Sequence, residues 1–184
     1  MIDLFFVRHG EAAQSWGQHV DPGLSELGRS QSAETAQLLN GVAPVDTVLM
    51  SSPKLRAQET AQPFAELRSA PVIIADVFRE VPSVTDLENR QAWLRGLMRG
   101  TWSDVNEPEV LAWREGVISA ISSLGHHSAV YTHFMVLNVI VGHIRGSDTV
   151  LQFWPDNGSV THCRLTNGEL QLIELGAQMS TIVN

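Results

Sequence analysis

Apolar, β-favouring runs alternate along the chain with segments of helical periodicity, and this alternation constrains the fold more than any other feature. The runs predicted as strands are residues 2–7, 45–50, 72–75, 128–132, 159–165 and 170–175. The last two predict a hairpin about Asn167-Gly168. Strands that alternate with helices favour a mostly parallel central sheet with helices on both faces, which is a three-layer α/β sandwich.

The segments between the strands predict five helices. The first begins at a Ser25 cap and ends near Asn40, and the others cover residues 53–67, 86–99, 106–124 and 134–144. The residues whose spacing predicts burial are Leu27, Ala33, Leu38, Leu39, Val110, Leu111, Val117, Ile118 and Ile121. Pro63 is expected to bend or shorten the second helix. Because the chain has 184 residues and no repeats or linkers, one domain over residues 1–184 is predicted.

Charged or titratable residues follow four of the predicted strands. Arg8-His9-Gly10-Glu11 follows the first, and Arg56, Glu80 and His133 come shortly after the next three. In open α/β sheets, ligands bind at the carboxyl ends of the strands. These side chains are therefore expected to converge on one site.

The Arg8-His9-Gly10 segment indicates phosphoryl chemistry. The planar guanidinium of Arg8 matches two phosphate oxygens, and His9 carries a nucleophilic nitrogen near neutral pH. Gly10 would allow a ligand to approach the backbone closely. Such a site would bind a phosphoryl group and accept it covalently.

Each of these residues also has a structural interpretation. Arg8 and His9 would form a solvated strand end, and Arg56 would pair with Glu59 or Glu34 on a helix surface. Glu80 would be a surface carboxylate beside Arg79, with Glu11 as a rival acid. His133 would be a helix-capping or core histidine. The number of separate motifs favours the catalytic interpretation over these alternatives.

Composition excludes several classes of protein. The formal net charge of −8 argues against a general nucleic-acid binder, whose surface would be basic. The single cysteine, Cys163, is interpreted as a packed strand residue and is typical of a reducing cytosol. No apolar run approaches the ~20 residues of a membrane-spanning helix, and no signal peptide is recognised. A cytoplasmic protein without membrane contact is therefore expected.

Several motifs in order resemble the histidine phosphatase superfamily, which has the phosphoglycerate-mutase-like fold. They are Arg8-His9-Gly10, residues 24–31, residues 51–61 and residues 156–161. Two segments depart from the family pattern. The usual Ser-His-Gly is Thr132-His133-Phe134 here, and residues 81–86 replace the Gly and Trp-Glu-Gly pattern that mutases have after the acid.

The resemblance implies a catalytic role for each residue. His9 would attack phosphorus and become a phosphohistidine. Arg8, Arg56 and His133 would surround the non-bridging oxygens. Glu80 would be the general acid, a role that requires a raised pKa; burial would raise this pKa and the two arginines would lower it.

The resemblance also implies what else the site contains. Ser15 and Gly10 are assigned to substrate binding beside the charged residues. No metal and no cofactor are expected, because two arginines and a histidine supply the cationic environment that Mg²⁺ provides elsewhere.

The predicted function is a phosphatase that hydrolyses a phosphomonoester or a phosphorylated protein, with a phosphorylated small molecule as the expected partner. The chain is short for a mutase, and its Ser15 stands where the family often has asparagine. The alternatives are phosphoglycerate-mutase-type phosphotransfer and a catalytically degenerate relative that binds phosphorylated ligands. Formation of a homo-oligomer is left open.

Two further groups have open interpretations. His126 and His127 are adjacent, so in extended chain they point to opposite sides and are not expected to bind one metal ion. Arg90, Arg95 and Arg99, with Trp93 and Trp102, form either a substrate-facing patch or a charged helix face over a core, and the second is favoured. Trp16 is a further specificity candidate.

Overall fold

The computed structural model describes residues 1–14, 21–86 and 88–179 of the chain. The strands are β1 (Ile2–Arg8), β2 (Val48–Ser51), β3 (Val72–Ile74), β4 (Ser128–Thr132), β5 (Val160–Thr166) and β6 (Glu169–Glu174). The helices are α1 (Glu26–Val42), α2 (Leu55–Arg68), α3 (Arg90–Arg99), α4 (Pro108–Ser122) and α5 (Phe134–Arg145). Two short 3₁₀ turns lie at Asp76–Phe78 and Trp102–Asp104.

The six strands form one sheet in the order β3-β2-β4-β1-β5-β6. The first four in this order run parallel, whereas β5 pairs antiparallel with β1 and β6 antiparallel with β5. The β5–β6 turn has positive φ angles of 52° at Asn167 and 83° at Gly168, the conformation that an Asn-Gly hairpin favours. The predicted α/β class and hairpin are confirmed.

Hydrophobic cores cover both faces of the sheet. Along β1, Leu4 and Phe6 belong to the core that includes α4 and α5, while Phe5 and Val7 belong to the core that includes α1 and α2. This division follows from the two-residue period of a strand, whose successive side chains point to opposite faces. The three-layer arrangement predicted from the alternation of elements is therefore present.

The predicted core face of α1 is mostly wrong. Ser25 caps the helix as predicted, because its side chain accepts a hydrogen bond from the Gly28 N–H. Leu39 is buried, but Leu27 and Leu38 are 55% and 53% exposed, and Ala33 is exposed as well. The buried residues of α1 are instead Gly28, Ser32, Thr35, Ala36 and Leu39.

The remaining differences concern the ends of elements. Residues 45–47 precede β2, and Val45 is 92% exposed. The helix predicted over residues 86–99 begins only at Arg90. Pro63 lies inside α2, which continues to Arg68, so it does not shorten the helix.

On α4, the buried predictions hold for Val110, Val117 and Ile121, whereas Leu111 and Ile118 are half-buried. Cys163 is a buried strand residue, and burial raises the pKa of its thiol to about 12. Within the described part of the chain, none of the helices combines the length and apolar character that crossing a bilayer requires.

Candidate active site

The carboxyl ends of the four parallel strands bring the predicted site residues together. Arg8 ends β1, and His9 follows it; His133 directly follows β4, the neighbouring strand. The His9 N–H donates to the Thr132 carbonyl at 3.0 Å, which continues the β1–β4 pairing up to the site. Arg56 lies in the first turn of α2, just after β2, and Glu80 follows the 3₁₀ turn after β3.

The hydrogen bonds of His9 determine its tautomer. Its Nδ1 lies 2.7 Å from the Gly10 carbonyl, which only accepts, so Nδ1 carries the proton. Its Nε2 accepts from the Nε–H of Arg56 at 3.1 Å and therefore holds the lone pair. Burial, with the charges of Arg56 and Arg8, holds the His9 pKa well below its usual range. The buried imidazole is therefore neutral, with its lone pair on Nε2, where it accepts the Arg56 N–H.

Arg56 bridges the two histidines. Besides its bond to His9, its Nη2 donates to Nδ1 of His133 at 3.3 Å. Its Nη1 lies 3.9 Å from Asp21, whose carboxylate also accepts the Leu55 N–H at the start of α2. Burial lowers the pKa of Arg56, against the opposing effects of Glu80 and Asp21. A buried guanidinium between two neutral histidines is well placed to bind an anion.

His133 is fully buried and held on both ring nitrogens. Its Nδ1 accepts from Arg56, so its Nε2 carries the proton and donates to the Ser52 hydroxyl at 2.8 Å. Burial lowers its pKa well below the usual value, assisted chiefly by His9 and Arg56. His133 is the N-cap residue of α5, but its side chain makes no capping bond. The helix-capping interpretation of this side chain is therefore wrong.

Glu80 is buried and its carboxyl group caps α5. Its Oε1 accepts the N–H groups of Val81 at 3.0 Å and Met135 at 3.1 Å. Burial raises the pKa of Glu80 and outweighs the backbone bonds and the two arginines, which lower it. Oε2 receives only a longer contact of 3.4 Å from the Met135 N–H, so the proton of a neutral Glu80 is assigned to Oε2. Glu80 does not lie on the surface beside Arg79, which pairs with Asp76 instead.

Arg8 lies between a carbonyl and an aromatic ring. Its Nη1 donates to the Pro155 carbonyl at 2.8 Å, and its guanidinium lies 5.4 Å from the centroid of the Phe134 ring. Its Nε is buried and has no hydrogen-bond partner among the described residues. Phe134 stands where the family usually has glycine, so this departure from the family motif places an aromatic ring against Arg8.

Gly10 packs closely against α1. A Cβ atom at Gly10 would lie 2.5 Å from the Gly28 carbonyl oxygen, so the missing side chain makes room for this helix. Binding of a ligand by Gly10 and Ser15 stays a prediction. The Gly10 N–H donates to the Thr60 hydroxyl at 3.0 Å. Ser15 and Trp16 lie outside the described residues.

The other candidates lie apart from this cluster or at its margin. Glu11 is exposed, and its carboxylate accepts a hydrogen bond from the Ser25 hydroxyl. The adjacent histidines have separate partners: His127 accepts the Asp3 N–H, and His126 bonds to the Ser128 hydroxyl.

The tryptophans and arginines of the α3 region lie mostly outside the site. Trp102 packs in the core, and Trp93 is half-buried against it. Arg95 and Arg99 are exposed. The charge of Arg90, at the start of α3, contributes to the lowered pKa of Arg56.

Four residues of this cluster were not singled out from the sequence. Ser52 bonds to His133, and Thr60 accepts the Gly10 N–H and donates to the Arg56 carbonyl. Asn157 donates to the His9 carbonyl at 3.1 Å, and Asp21 contacts the start of α2. Ser52, Thr60 and Asn157 lie within the family-like motifs, so motif position was the one signal that pointed to them.

A family model for the histidine phosphatase superfamily (branch 1) matches residues 4–178, nearly the whole chain. The chain belongs to the histidine phosphatase superfamily. The match contains every described residue of the cluster, from Arg8 to Asn157, and it confirms the family predicted from the motifs.

Solved structures of low sequence identity share the fold. YhfR from Bacillus stearothermophilus has a TM-score of 0.78 at 19% identity, with 98% of each chain covered. Phosphoserine phosphatase from Entamoeba histolytica has a TM-score of 0.72 at 18% identity, with 97% of this chain and 98% of that chain covered. The predicted phosphoglycerate-mutase-like fold is confirmed.

A curated relative is similar over a shorter stretch. Mannitol-1-phosphatase from Eimeria tenella is 30% identical in an alignment 98 positions long, which covers 47% of this chain and 30% of that protein. The match thus spans less than a third of the relative's length.

Proposed function

We propose that this chain is a phosphatase that hydrolyses phosphomonoesters through a phosphohistidine on His9. One observation carries the proposal: the Nδ1–H of buried His9 is held by the Gly10 carbonyl, so that the Nε2 lone pair faces the guanidinium of Arg56. This is the arrangement in which a phosphoryl group bound by Arg56 would meet a nucleophile.

In the first step the Nε2 lone pair of His9 forms a bond to phosphorus while the bond to the leaving oxygen breaks. The leaving oxygen takes the proton from Oε2 of Glu80, whose raised pKa keeps that proton available. Arg8, Arg56 and His133 bind the non-bridging oxygens and stabilise the transferred charge.

In the second step water attacks phosphorus and the bond to His9 breaks. The Glu80 carboxylate takes a proton from this water, which restores its neutral form, and inorganic phosphate leaves. The cationic side chains supply the charge that a metal ion provides in other phosphoryl-transfer sites, so we propose a metal-independent reaction.

The substrate class we propose is a small phosphorylated molecule. Two of the three relatives named above support this choice, because their names, phosphoserine phosphatase and mannitol-1-phosphatase, refer to small phosphorylated molecules. The net charge of −8 disfavours nucleic acid as a partner. We further propose that residues 1–184 act as one catalytic domain in the cytoplasm, and that any homo-oligomer leaves each site complete within one chain.

The decisive experiment compares wild type with His9→Ala on an aryl phosphate and on a panel of phosphorylated metabolites. Wild type should release phosphate, and His9→Ala should release none above background. His143→Ala is the matched control, because His143 is exposed on α5, and it should keep full activity. Activity that survives His9→Ala would contradict the mechanism, and an inactive wild type that still binds phosphate would favour a degenerate binding protein.

A second assay separates hydrolysis from mutase chemistry. Incubation with 3-phosphoglycerate and a trace of 2,3-bisphosphoglycerate should release inorganic phosphate or leave the substrate unchanged. Rapid formation of 2-phosphoglycerate without free phosphate would show a mutase instead.

A further inference from the structure

His133 cannot bind a phosphate oxygen in the tautomer that the structure contains. Its Nδ1 faces Arg56 and accepts from Nη2 at 3.3 Å, so this nitrogen presents a lone pair to the centre of the site. A phosphate oxygen that entered between Arg56 and the two histidines would meet that lone pair and be repelled. The His133 proton resides on Nε2, on the far side of the ring, where it is donated to Ser52.

The Ser52 hydroxyl is a partner that suits either tautomer. A hydroxyl both donates and accepts, unlike a carbonyl or an ammonium group. Ser52 is fully buried, its N–H is bonded to the Tyr131 carbonyl at 2.9 Å, and its oxygen accepts the Lys54 N–H at 3.3 Å. The oxygen is thus held in place while the hydroxyl hydrogen is free to rotate.

We propose that phosphate binding switches His133 from the Nε2–H to the Nδ1–H tautomer, and that Ser52 is the positioning residue that permits this switch. Before binding, Nε2–H donates to Ser52; after binding, Nδ1–H donates to phosphate and the Ser52 hydroxyl donates to Nε2. The proton that Nδ1 gains comes from the phosphate monoanion, which remains bound as the dianion, and the proton that Nε2 loses passes to water. The ring therefore keeps one proton and stays neutral, in agreement with its burial. This inference rests on the proposed function, since it assumes that phosphate enters beside His9.

Nitrogen NMR of enzyme labelled with ¹⁵N in histidine tests the switch, because the shift of each ring nitrogen reports whether it carries a proton. Free enzyme should show His133 protonated on Nε2 only, and enzyme saturated with inorganic phosphate should show it protonated on Nδ1 only. Retention of the Nε2 proton in the complex, alone or in an imidazolium protonated on both nitrogens, would overturn the switch.

The response of His9 in the same spectra separates the two proposals. If phosphate shifts His9 Nε2 while the His133 tautomer stays unchanged, the inference fails and the proposed function stands. If phosphate leaves both histidines unchanged, the inference fails together with the function on which it rests.

Ser52→Ala gives a kinetic test with a matched control. Loss of the hydroxyl leaves a buried ring nitrogen without a partner, so kcat/KM should fall and the inhibition constant of phosphate should rise by roughly tenfold or more. Ser51→Ala removes a neighbouring buried hydroxyl that bonds to the Ser52 carbonyl, and it should leave the His133 tautomers and both constants near wild type. A Ser52→Ala enzyme that matches Ser51→Ala in spectra and kinetics would overturn the role of Ser52.

Discussion

The Nε–H of Arg56 donates to Nε2 of His9 across 3.1 Å, so the guanidinium covers the lone pair that would attack phosphorus. In the same position Nη2 reaches His133. The guanidinium therefore occupies the place between the histidines that a phosphoryl group would take. In the proposed mechanism, phosphate must therefore displace the guanidinium from Nε2 of His9 while remaining bound to that guanidinium.

Arg56→Gln should lower kcat about a hundredfold or more, because it removes a charged donor from the transition state. Thermal stability should not fall in parallel, since burial already disfavours the charged guanidinium, as its lowered pKa indicates. Steady-state kinetics and thermal unfolding of the same preparations measure both effects. Arg95→Gln, on the exposed face of α3, is the control for loss of a positive charge. Equal losses of activity and stability would mark Arg56 as a structural ion-pair residue.

Glu80→Gln should have an effect that depends on the leaving group. An alkyl phosphate needs a proton on its leaving oxygen, so kcat/KM should fall about a hundredfold or more. A nitrophenyl phosphate has a stable leaving anion and should lose much less. The glutamine oxygen can still accept the Val81 and Met135 N–H groups, which preserves the start of α5. The same loss with both substrates would argue against Glu80 as the proton donor.

The convergence of the site was predictable because it depends on topology. Parallel strands place their carboxyl ends at one edge, and the residues after β1, β2, β3 and β4 must meet there in any such sheet. The sign of the Glu80 pKa shift was not predictable, since it depends on burial that only the packed structure defines. The tautomers of His9 and His133 likewise depend on bonds to Gly10 and Ser52 that spacing does not encode.

The buried face of α1 was mispredicted for a definable reason. Leu27 and Leu38 are apolar and exposed, whereas the next residue after each of them, Gly28 and Leu39, is buried. Of the predicted core residues of α1, only Leu39 is therefore correct. A Cβ on Gly28 would lie 2.1 Å from the Glu11 carbonyl oxygen, so the helix packs too closely there for a large side chain. Hydrophobicity alone predicts that the leucines are buried, whereas the close approach of the backbone at Gly28 requires a small residue on the buried face.

Activity should persist in the presence of a chelator such as EDTA, because protein side chains supply the charge around phosphorus in the proposed mechanism. Vanadate, which adopts a trigonal-bipyramidal geometry, should inhibit competitively. Initial rates with and without chelator, alongside a metal-dependent phosphatase treated identically, measure this. Loss of activity that Mg²⁺ or Zn²⁺ restores would contradict the mechanism.

Stability should fall as the pH drops below 6.5, because His9 and His133 have that pKa when unfolded and much lower values when folded. The unfolded chain then takes up protons that the native state excludes, at about 1.4 kcal/mol per pH unit for each histidine. The raised pKa of Glu80 has the opposite effect on stability, because the native state binds this proton more tightly than the unfolded chain does. It partly offsets the loss of stability at lower pH.

Urea unfolding between about pH 7.5 and about pH 5.5 measures this dependence. His133→Asn should reduce the slope of the unfolding free energy against pH by the contribution of one histidine. The control His143→Asn, at an exposed position on α5, should retain the wild-type slope. A wild-type stability that does not change over this range would show that the buried histidines become protonated in the native state.

Tyr131 should tolerate loss of its hydroxyl without loss of stability. The side chain is fully buried on β4, in the core that includes α1 and α2, and its hydroxyl has no hydrogen-bond partner among the described residues. Burial raises the pKa of this phenol, as expected for a hydroxyl without a compensating charge. A buried unsatisfied hydroxyl costs about 1–3 kcal/mol, so Tyr131→Phe should raise the free energy of unfolding by up to about that amount.

Tyr131→Leu is the contrasting variant, because it removes ring volume from the same core and should destabilise the protein by about 1–3 kcal/mol. Urea unfolding of both variants at one pH measures the two effects. Turnover of Tyr131→Phe should match wild type, since the hydroxyl makes no hydrogen bond to any of the described residues, those around His9 included. A loss of more than about 1 kcal/mol in Tyr131→Phe would show that the hydroxyl has a hydrogen-bond partner in solution.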